Sequence, residues 1–434
     1  MGAKKIINIG LMGLGVIGGG TVKVLMEKPD TLAREAGSKL ELVKVLEKDQ
    51  KKYGALAVDR AIFTGKFEEL IRDPEIDIIV ELLGGEHPAF EYMKEALNHG
   101  KHVVTANKEV MSKHWAELLT AARDNHVNIR YEASVGGGIP LIAPFQEDLI
   151  ANDVSSIYAI VNGTTNYILT RMAKEGLDFS VALKNAQELG YAEANPTNDI
   201  EGIDAAYKLA ILATIAFGTE VKPDSVYHEG ISRLQARDFR YARELGYAIK
   251  LLAIAKKSDN AIEARVHPVF IPEDSLLAKV DGVFNAILVE GDLVGQVIFY
   301  GQGAGPRATS SAVISDIIKI AQDINNGNAS LPRLPFAPER KVMPMARINT
   351  RYYMRMSVAD QPGVLAQISK ILGDNAISIS SVIQKETDAS TRVAEIVIMT
   401  HPAEEQAVQK ALKETEHLGV VKEISNFVRV EAQE

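Results

Sequence analysis

Cysteine is missing from all 434 residues, which removes disulfides, thiolate metal sites and every mechanism built on a cysteine nucleophile. A basic excess is missing too: 48 lysines and arginines face 57 aspartates and glutamates, for a net charge of −9. Duplex-binding proteins carry the opposite balance, because phosphates have to be neutralised, so no nucleic-acid partner is expected. Long hydrophobic runs are absent. Stretches such as Ile78-Ile79-Val80 fall far short of the ~20 residues that cross a bilayer, so no membrane association is expected. The apolar start Ile6–Leu14 runs into glycines rather than a cleavage site and does not read as a secretion signal. Nine scattered histidines without an HExxH pattern argue against a transition-metal site. What is there is ordinary for a globular chain: 46% hydrophobic and 24% charged residues. The expectation is a soluble cytoplasmic protein of two or three domains, at ~100–200 residues each.

The first third alternates β-type runs with helical patterns. Ile6–Leu11, Leu40–Leu46, Asp77–Leu83, His102–Thr105 and Asn128–Glu132 read as strands, and Val16–Lys28, Phe90–Asn98 and Lys108–Asn125 as helices. That order predicts an α/β fold with a doubly wound parallel sheet over residues 1–135, onto which a helix near 306–325 packs back. Residues 136–304 read as a second, α+β domain with helices over 180–189, 202–217 and 236–255 and strands over 287–290 and 296–300. Residues 331–349 read as a linker: prolines stand at 332, 335, 338 and 344. The last stretch, 350–434, shows a βαββαβ order, the split-βαβ pattern of a ferredoxin-like sandwich, and reads as a unit of its own.

Gly13-Leu14-Gly15-Val16-Ile17-Gly18 stands between a predicted strand and a predicted helix. Gly13 permits the tight turn, Gly15 the close approach of a pyrophosphate, and Gly18 close helix–strand packing. The helix start at Val16 and Ile17 faces the phosphate charge. In this context the motif predicts a dinucleotide site. The second strand ends in Glu47-Lys48-Asp49. Glu47 could hold a ribose diol, and Lys48 or its neighbours Lys51 and Lys52 a 2′-phosphate, so NADP(H) is favoured and NAD(H) stays open; a solvated loop is the alternative for those lysines. Strand carboxyl ends form the ligand crevice in such sheets. Lys108 is therefore placed to reach into it, and Gly84, Thr105 and Gly303 are also expected among the coenzyme contacts.

Between Gly202 and Gly218 only Asp204 and Lys208 are charged. They lie at i and i+4 on one helix face. A helix apolar on nearly every side is expected to be buried. Burial lowers an ammonium's pKa while a carboxylate one turn away raises it, so the pair could move a proton near neutral pH. A lysine snorkelling to the surface is the alternative. The turn-rich stretch before the helix adds Glu193 and Asp199. These either serve the helix dipole or bind a cationic group such as an α-ammonium. Gly163 and Thr164, in Asn162-Gly163-Thr164-Thr165-Asn166, mark a further polar loop.

Taken in order, these motifs resemble homoserine dehydrogenase. The resemblance rests on Gly13-x-Gly15-x-x-Gly18, Thr105-Ala106-Asn107-Lys108, Glu132-Ala133-Ser134-Val135-Gly136, Asn162-Gly163-Thr164-Thr165-Asn166 and the run Gly190–Lys208, spread over residues 5–325. It implies reversible reduction of L-aspartate 4-semialdehyde to L-homoserine, on the route to threonine and methionine. Lys208 would be the general acid and base, Asp204 would orient it, and Lys108 would lie between coenzyme and substrate. Glu193 and Asp199, with Gly163 and Thr164, would bind the amino-acid end. A structural sodium ion is also implied, held by Glu132 and the carbonyls of Val135, Gly137 and Ile139; oxygen ligands alone suit a hard cation. Two positions depart from the family pattern: Asn195 replaces an aspartate, and Arg307-Ala308 stand where a proline is usual. The C-terminal module, opening Asp360-Gln361-Pro362-Gly363-Val364-Leu365, is similar to an ACT domain. Asp360, Gly363, Val364 and Leu365 would then take an amino-acid effector, with threonine favoured. The helix face Val364, Leu365, Ile368, Ile371, Leu372 would be buried.

The resemblance further implies a homodimer or homotetramer. The chain opens its dinucleotide fold at once, which fits the monofunctional form of the enzyme. Aspartate-semialdehyde dehydrogenase is excluded because it needs a thiol. A non-catalytic sensor of nucleotide and amino acid is the alternative from another class, but a sensor has no use for the Asp204/Lys208 pair.

Overall fold

The computed structural model describes residues 4–49, 51–52, 58–258, 260–327, 340–388 and 392–431, the side chains of 385–388 excepted. The stretch 331–339, expected as the proline-rich part of a linker, lies outside the described residues. The chain forms two compact units. One comprises 1–154, 207–225 and 289–339, the other 155–206, 226–288 and 340–434.

The first unit is built on a six-stranded parallel sheet: β1 (Ile6–Met12), β2 (Lys39–Leu46), β3 (Phe63–Thr64), β4 (Ile78–Glu81), β5 (His102–Thr105) and β6 (Ile129–Arg130). Its strand order is β3-β2-β1-β4-β5-β6, the doubly wound order whose direction reverses between β1 and β4. All four residues of β4 are buried, because helices cover both sheet faces and leave no solvent side for a polar alternation. The helix Pro306–Asn326 returns from late in the chain to this sheet. It starts on a proline and stops at Gly327 in the left-handed conformation, as helix ends commonly do. Val313, Ile317 and Ile320 share a core with Ile7, Ile9, Leu11 and Val22. Gly20 lets this helix approach the first one: a Cβ there would meet Ser310 Oγ at 2.6 Å.

The second unit carries β7 (Val154–Ile160), β8 (Tyr247–Lys257), β9 (Ala261–Pro272), β10 (Phe284–Gly291), β11 (Asn349–Ala359), β12 (Ile379–Asp388), β13 (Val393–Thr400) and β14 (Val421–Val430). They lie in the order β10-β7-β8-β9-β14-β11-β13-β12. The C-terminal βαββαβ module thus continues the sheet of the preceding domain, through parallel pairing of Val269 with Arg429 and Phe270 with Val430. Its helices are Val364–Asp374 and Glu405–Glu416. On β12, Ile379, Ser381 and Ile383 are less exposed than the residues between them, the alternation of a sheet with one covered face.

Three sequence expectations are corrected. The helix read over 236–255 is a helix only at Ala236–Glu244; Gly246 then turns at φ +81 and Tyr247–Lys257 is β8. Most of β8 is buried, so its apolar residues form a continuous run that periodicity cannot tell from a buried helix. Its antiparallel partner β9 has no counterpart in the reading. Leu365, placed on the buried face of the first ACT helix, is exposed, whereas Val364, Ile368 and Leu372 are buried.

Candidate active site

In the first unit the glycine loop follows β1. Gly13 has φ +93, and a Cβ there would meet Leu82 O at 2.7 Å; a Cβ on Gly18 would fall on the carbonyl oxygen of Gly13. Around Gly15 a Cβ would meet nothing within 4 Å. Packing therefore requires glycine at 13 and 18 but leaves space at 15, the position where close approach of a phosphate was expected. Glu47, at the end of β2, binds this loop: its Oε2 accepts the N–H of Leu14 at 2.9 Å, and Oε1 that of Asp49 at 2.9 Å. Burial pushes its carboxyl up, but these amides and Lys52 at 3.2 Å outweigh it and hold the group below its usual range. Lys48 is exposed, and it is Lys52 that pairs with Glu47.

The carboxyl ends of β4 and β5 are joined by Glu81, a residue the sequence reading did not single out. Its Oε2 accepts the Thr105 hydroxyl at 2.7 Å, and Oε1 the N–H of Leu83 at 2.7 Å. Burial raises this carboxyl despite the hydrogen bonds it accepts. Thr105 Oγ1 in turn accepts the Asn107 N–H at 2.9 Å. Asn107 donates to Gly85 O at 2.7 Å, beside the left-handed Gly84, and caps the helix Lys108–Asp124 through Val110 N–H at 3.1 Å. Lys108 is half-buried at the first position of that helix. The signal for Glu81 was present: a carboxylate ending an apolar strand at a crevice edge.

Glu132 is buried, and its carboxylate gathers three amides. Oε1 accepts Leu141 N–H at 2.5 Å and Ile142 N–H at 2.9 Å, and Oε2 accepts Ala143 N–H at 2.8 Å. Its own N–H donates to Asp316 at 2.8 Å; burial, then the Glu132 charge, push Asp316 up to about 8. A carboxylate has about four lone-pair directions, so one remains for a cation. The carbonyl donors named with it belong to a loop where Gly136 and Gly137 run left-handed in succession, at φ +73 and +58. A Cβ on Gly137 would meet Gly303 O at 2.5 Å. The structure thus brings Gly137 and Gly303 together, and an all-oxygen set of this kind fits a hard monovalent ion.

In the second unit one side chain organises the loop expected to bind substrate. Asn162 follows β7 and caps the helix Gly163–Glu175, its Oδ1 accepting Thr165 N–H at 2.9 Å. Its amide nitrogen donates to Asp199 Oδ1 at 2.7 Å and Asp204 Oδ2 at 2.9 Å. Two carboxylates thus sit on one neutral amide, one turn ahead of Lys208 on the helix Ile203–Phe217. Asp204 is buried as expected, whereas Lys208 is half-buried. Thr164 Oγ1 donates to Tyr191 O at 2.6 Å, and a Cβ on Gly163 would meet Val283 O at 2.8 Å. Both residues fix the loop. Glu193 is exposed, its backbone carbonyl held by Gln187 at 3.1 Å. Asn195 accepts from Thr197 N–H at 3.3 Å and Thr197 Oγ1 at 2.7 Å, an i, i+2 turn that an aspartate oxygen would make equally. Arg307 is exposed at the start of its helix. In the ACT module, Gly363 caps its helix at φ +86 and Asp360 N–H donates to Arg392 O at 2.9 Å.

Comparison with known proteins agrees with this layout. Residues 13–132 match the homoserine dehydrogenase NAD-binding domain, 140–318 the homoserine dehydrogenase family and 352–418 the ACT domain. The homoserine dehydrogenase of Neisseria gonorrhoeae is 42% identical over 433 residues, 99% of both chains. The crystal structure of a homoserine dehydrogenase from Thiobacillus denitrificans superposes with a TM-score of 0.93 at 43% identity, covering 100% of each chain. A hyperthermophilic archaeal homoserine dehydrogenase in complex with NADPH matches 73% of this chain and 97% of its own, with a TM-score of 0.63 at 29% identity. These matches make the chain an NAD(P)-dependent oxidoreductase acting on a CH–OH group, which sets aside the non-catalytic sensor. The chain belongs to the homoserine dehydrogenases, and it carries an ACT domain. No described helix is long and apolar enough to cross a membrane.

Proposed function

We propose that this chain interconverts L-aspartate 4-semialdehyde and L-homoserine in the cytoplasm with Lys208 as general acid and base, using NADP(H) in preference to NAD(H). The observation that carries this reading is the Asn162 amide shared by Asp199 and Asp204, one helical turn before Lys208. The nicotinamide, when bound, supplies or accepts the hydride. In the reducing direction Lys208 gives a proton to the aldehyde oxygen; in the oxidising direction it takes the proton of the homoserine hydroxyl. Asp204 keeps the ammonium oriented. Asp199 and Glu193 hold the substrate's α-ammonium, and Gly163 and Thr164 line the same end. Gly13, Gly15, Val16, Ile17, Gly18, Gly84, Thr105, Lys108 and Gly303 would hold the coenzyme. Lys48 would meet a 2′-phosphate, a preference supported by the archaeal relative solved with NADPH. A sodium ion held by Glu132 and the carbonyls of Val135, Gly137 and Ile139 would stiffen the loop and take no part in proton transfer. Threonine binding at Asp360, Gly363, Val364 and Leu365 would regulate a homodimer or homotetramer.

The test is steady-state homoserine oxidation with both coenzymes. The expected result is a higher kcat/KM with NADP+ than with NAD+, and a loss for Lys48→Glu of roughly tenfold (~1.4 kcal/mol) confined to NADP+. Equal losses for both coenzymes would make Lys48 a mere surface lysine, and absence of homoserine oxidation would overturn the assignment.

A further inference from the structure

The ACT strand β14 reaches the substrate loop through one ion pair. Arg429 is almost completely buried and faces two carboxylates. Glu405 takes Nε at 2.9 Å and one terminal nitrogen at 2.6 Å, and Glu229 takes the other terminal nitrogen at 2.7 Å. Glu229 is also bound by the Tyr227 hydroxyl at 2.9 Å, and the Tyr227 ring lies under the guanidinium at 5.3 Å. Bidentate and stacked contacts fix an arginine's position, not merely its charge.

From Glu229 the contacts run directly into the turn Ile200–Gly202. Glu229 N–H donates to Val266 O at 2.8 Å, and Ile231 N–H to Ile200 O at 2.9 Å. His228 Nδ1 lies 3.0 Å from Glu201 O, and Ser232 Oγ donates to Glu201 Oε1 at 3.3 Å. Gly230 has no room for a side chain, because a Cβ would fall on Ile200 O and lie 2.9 Å from Glu201 Cα. Gly202, at φ +78, would press a Cβ to 3.4 Å from Glu229 O. The segment 228–232 therefore wraps a turn that has Asp199 immediately before it and Asp204 two residues after it. Those are the two carboxylates on Asn162.

We infer that Arg429 and Glu229 are positioning residues: their ion pair lets the ACT module set the turn that carries Asp199 and Asp204, and so tunes substrate affinity. The effect on affinity rests on the reading that Asp199 binds substrate; the mechanical link does not. Coupling between sites is carried by contiguous hydrogen-bonded and packed contacts, and Arg429, Glu229, His228 and Glu201 form such a run.

Glu229→Gln in the full-length enzyme, with Arg429→Lys as the reciprocal variant, separates the two parts. Glu229 is partly exposed and its loss leaves Arg429 paired with Glu405, so the variant folds. Amide hydrogen exchange without substrate reads the link: exchange across 199–202 and at Ile231 speeds up, while β1 and β4 keep their parental rates. Unchanged exchange at 199–202 in both variants overturns the inference. Kinetics reads the consequence: KM for homoserine rises roughly five- to tenfold with the coenzyme KM unaltered and kcat changed less. Asp199→Asn is the benchmark. If it raises KM and Glu229→Gln does not, the positioning role is wrong. If Asp199→Asn leaves KM unaltered, the substrate role of Asp199 falls, and the exchange data alone decide the link.

Discussion

Asp238 and Arg355 lie 2.8 Å apart, Oδ1 to Nε, with side-chain exposures of 0% and 2%. One stands on the helix Ala236–Glu244, the other on β11 of the ACT module. The same carboxylate accepts the Tyr353 hydroxyl at 3.0 Å and the Asn426 amide at 2.6 Å. Arg355 continues to Glu395 at 3.0 Å, which also takes the Tyr241 hydroxyl at 2.7 Å. Paired charges out of water tolerate no loss of a partner, because the charge left behind has no solvent to turn to.

Arg355→Met should therefore cost ~3–5 kcal/mol of unfolding free energy, far more than its lost apolar contacts. Replacing Asp238 as well should cost less than the two single losses added together, since the second change removes the stranded charge. Chemical denaturation of the two single variants and the double variant checks both statements. Additive losses would mean that the pair is not a unit.

Lys208→Ala should keep the fold and bind coenzyme with parental affinity, but lose turnover by ~10²–10⁴-fold, the usual worth of a positioned general acid. Fluorescence titration with NADPH and steady-state homoserine oxidation measure the two halves. Parental turnover would remove Lys208 from proton transfer. Asn162→Leu should instead act on both constants, raising KM because it releases Asp199 and lowering kcat because it also releases Asp204, which orients the lysine.

How much of this could be read without coordinates follows the range of each interaction. The strands β1 and β5, the glycine loop and the helix carrying Asp204 and Lys208 are local, periodic features, and their limits agree with the structure to within a residue or two. The strands β8 and β9 were misread or missed because a strand buried on both faces has no period to show. The role of Asn162 was hidden for another reason. Its partners Asp199 and Asp204 are 37 and 42 residues away, and only β7 and the turn Ile200–Gly202 bring them together. Glu132 shows the same limit, since its carboxylate answers to amides 9, 10 and 11 residues away.

His102 makes stability depend on pH. Its Nδ1 accepts the Asn128 N–H at 3.0 Å, and burial drives the ring from 6.5 down to about 4, against a weaker opposing pull from Asp77. In the window between those values the unfolded chain binds a proton that the folded chain refuses. Stability must then fall as the pH drops through it. Between pH 7 and pH 5 this contributes a loss of about 2 kcal/mol. Urea unfolding at the two pH values should show that loss in the parent and a smaller one in His102→Asn; identical losses would assign the slope to other groups.

The C-terminal module looks separable in the sequence, and cutting the chain ahead of β11 would be the simplest way to ask whether threonine acts through it. The structure argues for a different experiment. Removing 346–434 strips β9 of β14, Asp238 of Arg355, Glu229 of Arg429 and Arg265 of Glu431. Several charges would be stranded together with an open sheet edge, so the shortened chain is expected to aggregate, and its inactivity would carry no message about regulation. Gly363→Val spares every one of those contacts. It places a β-branched residue at φ +86, where such side chains are strongly disfavoured, and so distorts the loop Asp360–Leu365 alone. That variant should still turn homoserine over and should need at least about tenfold more threonine for half inhibition, matching a coupling of ~1–3 kcal/mol between the sites. An unmoved inhibition midpoint, with threonine competing against homoserine, would place the effector in the substrate site instead.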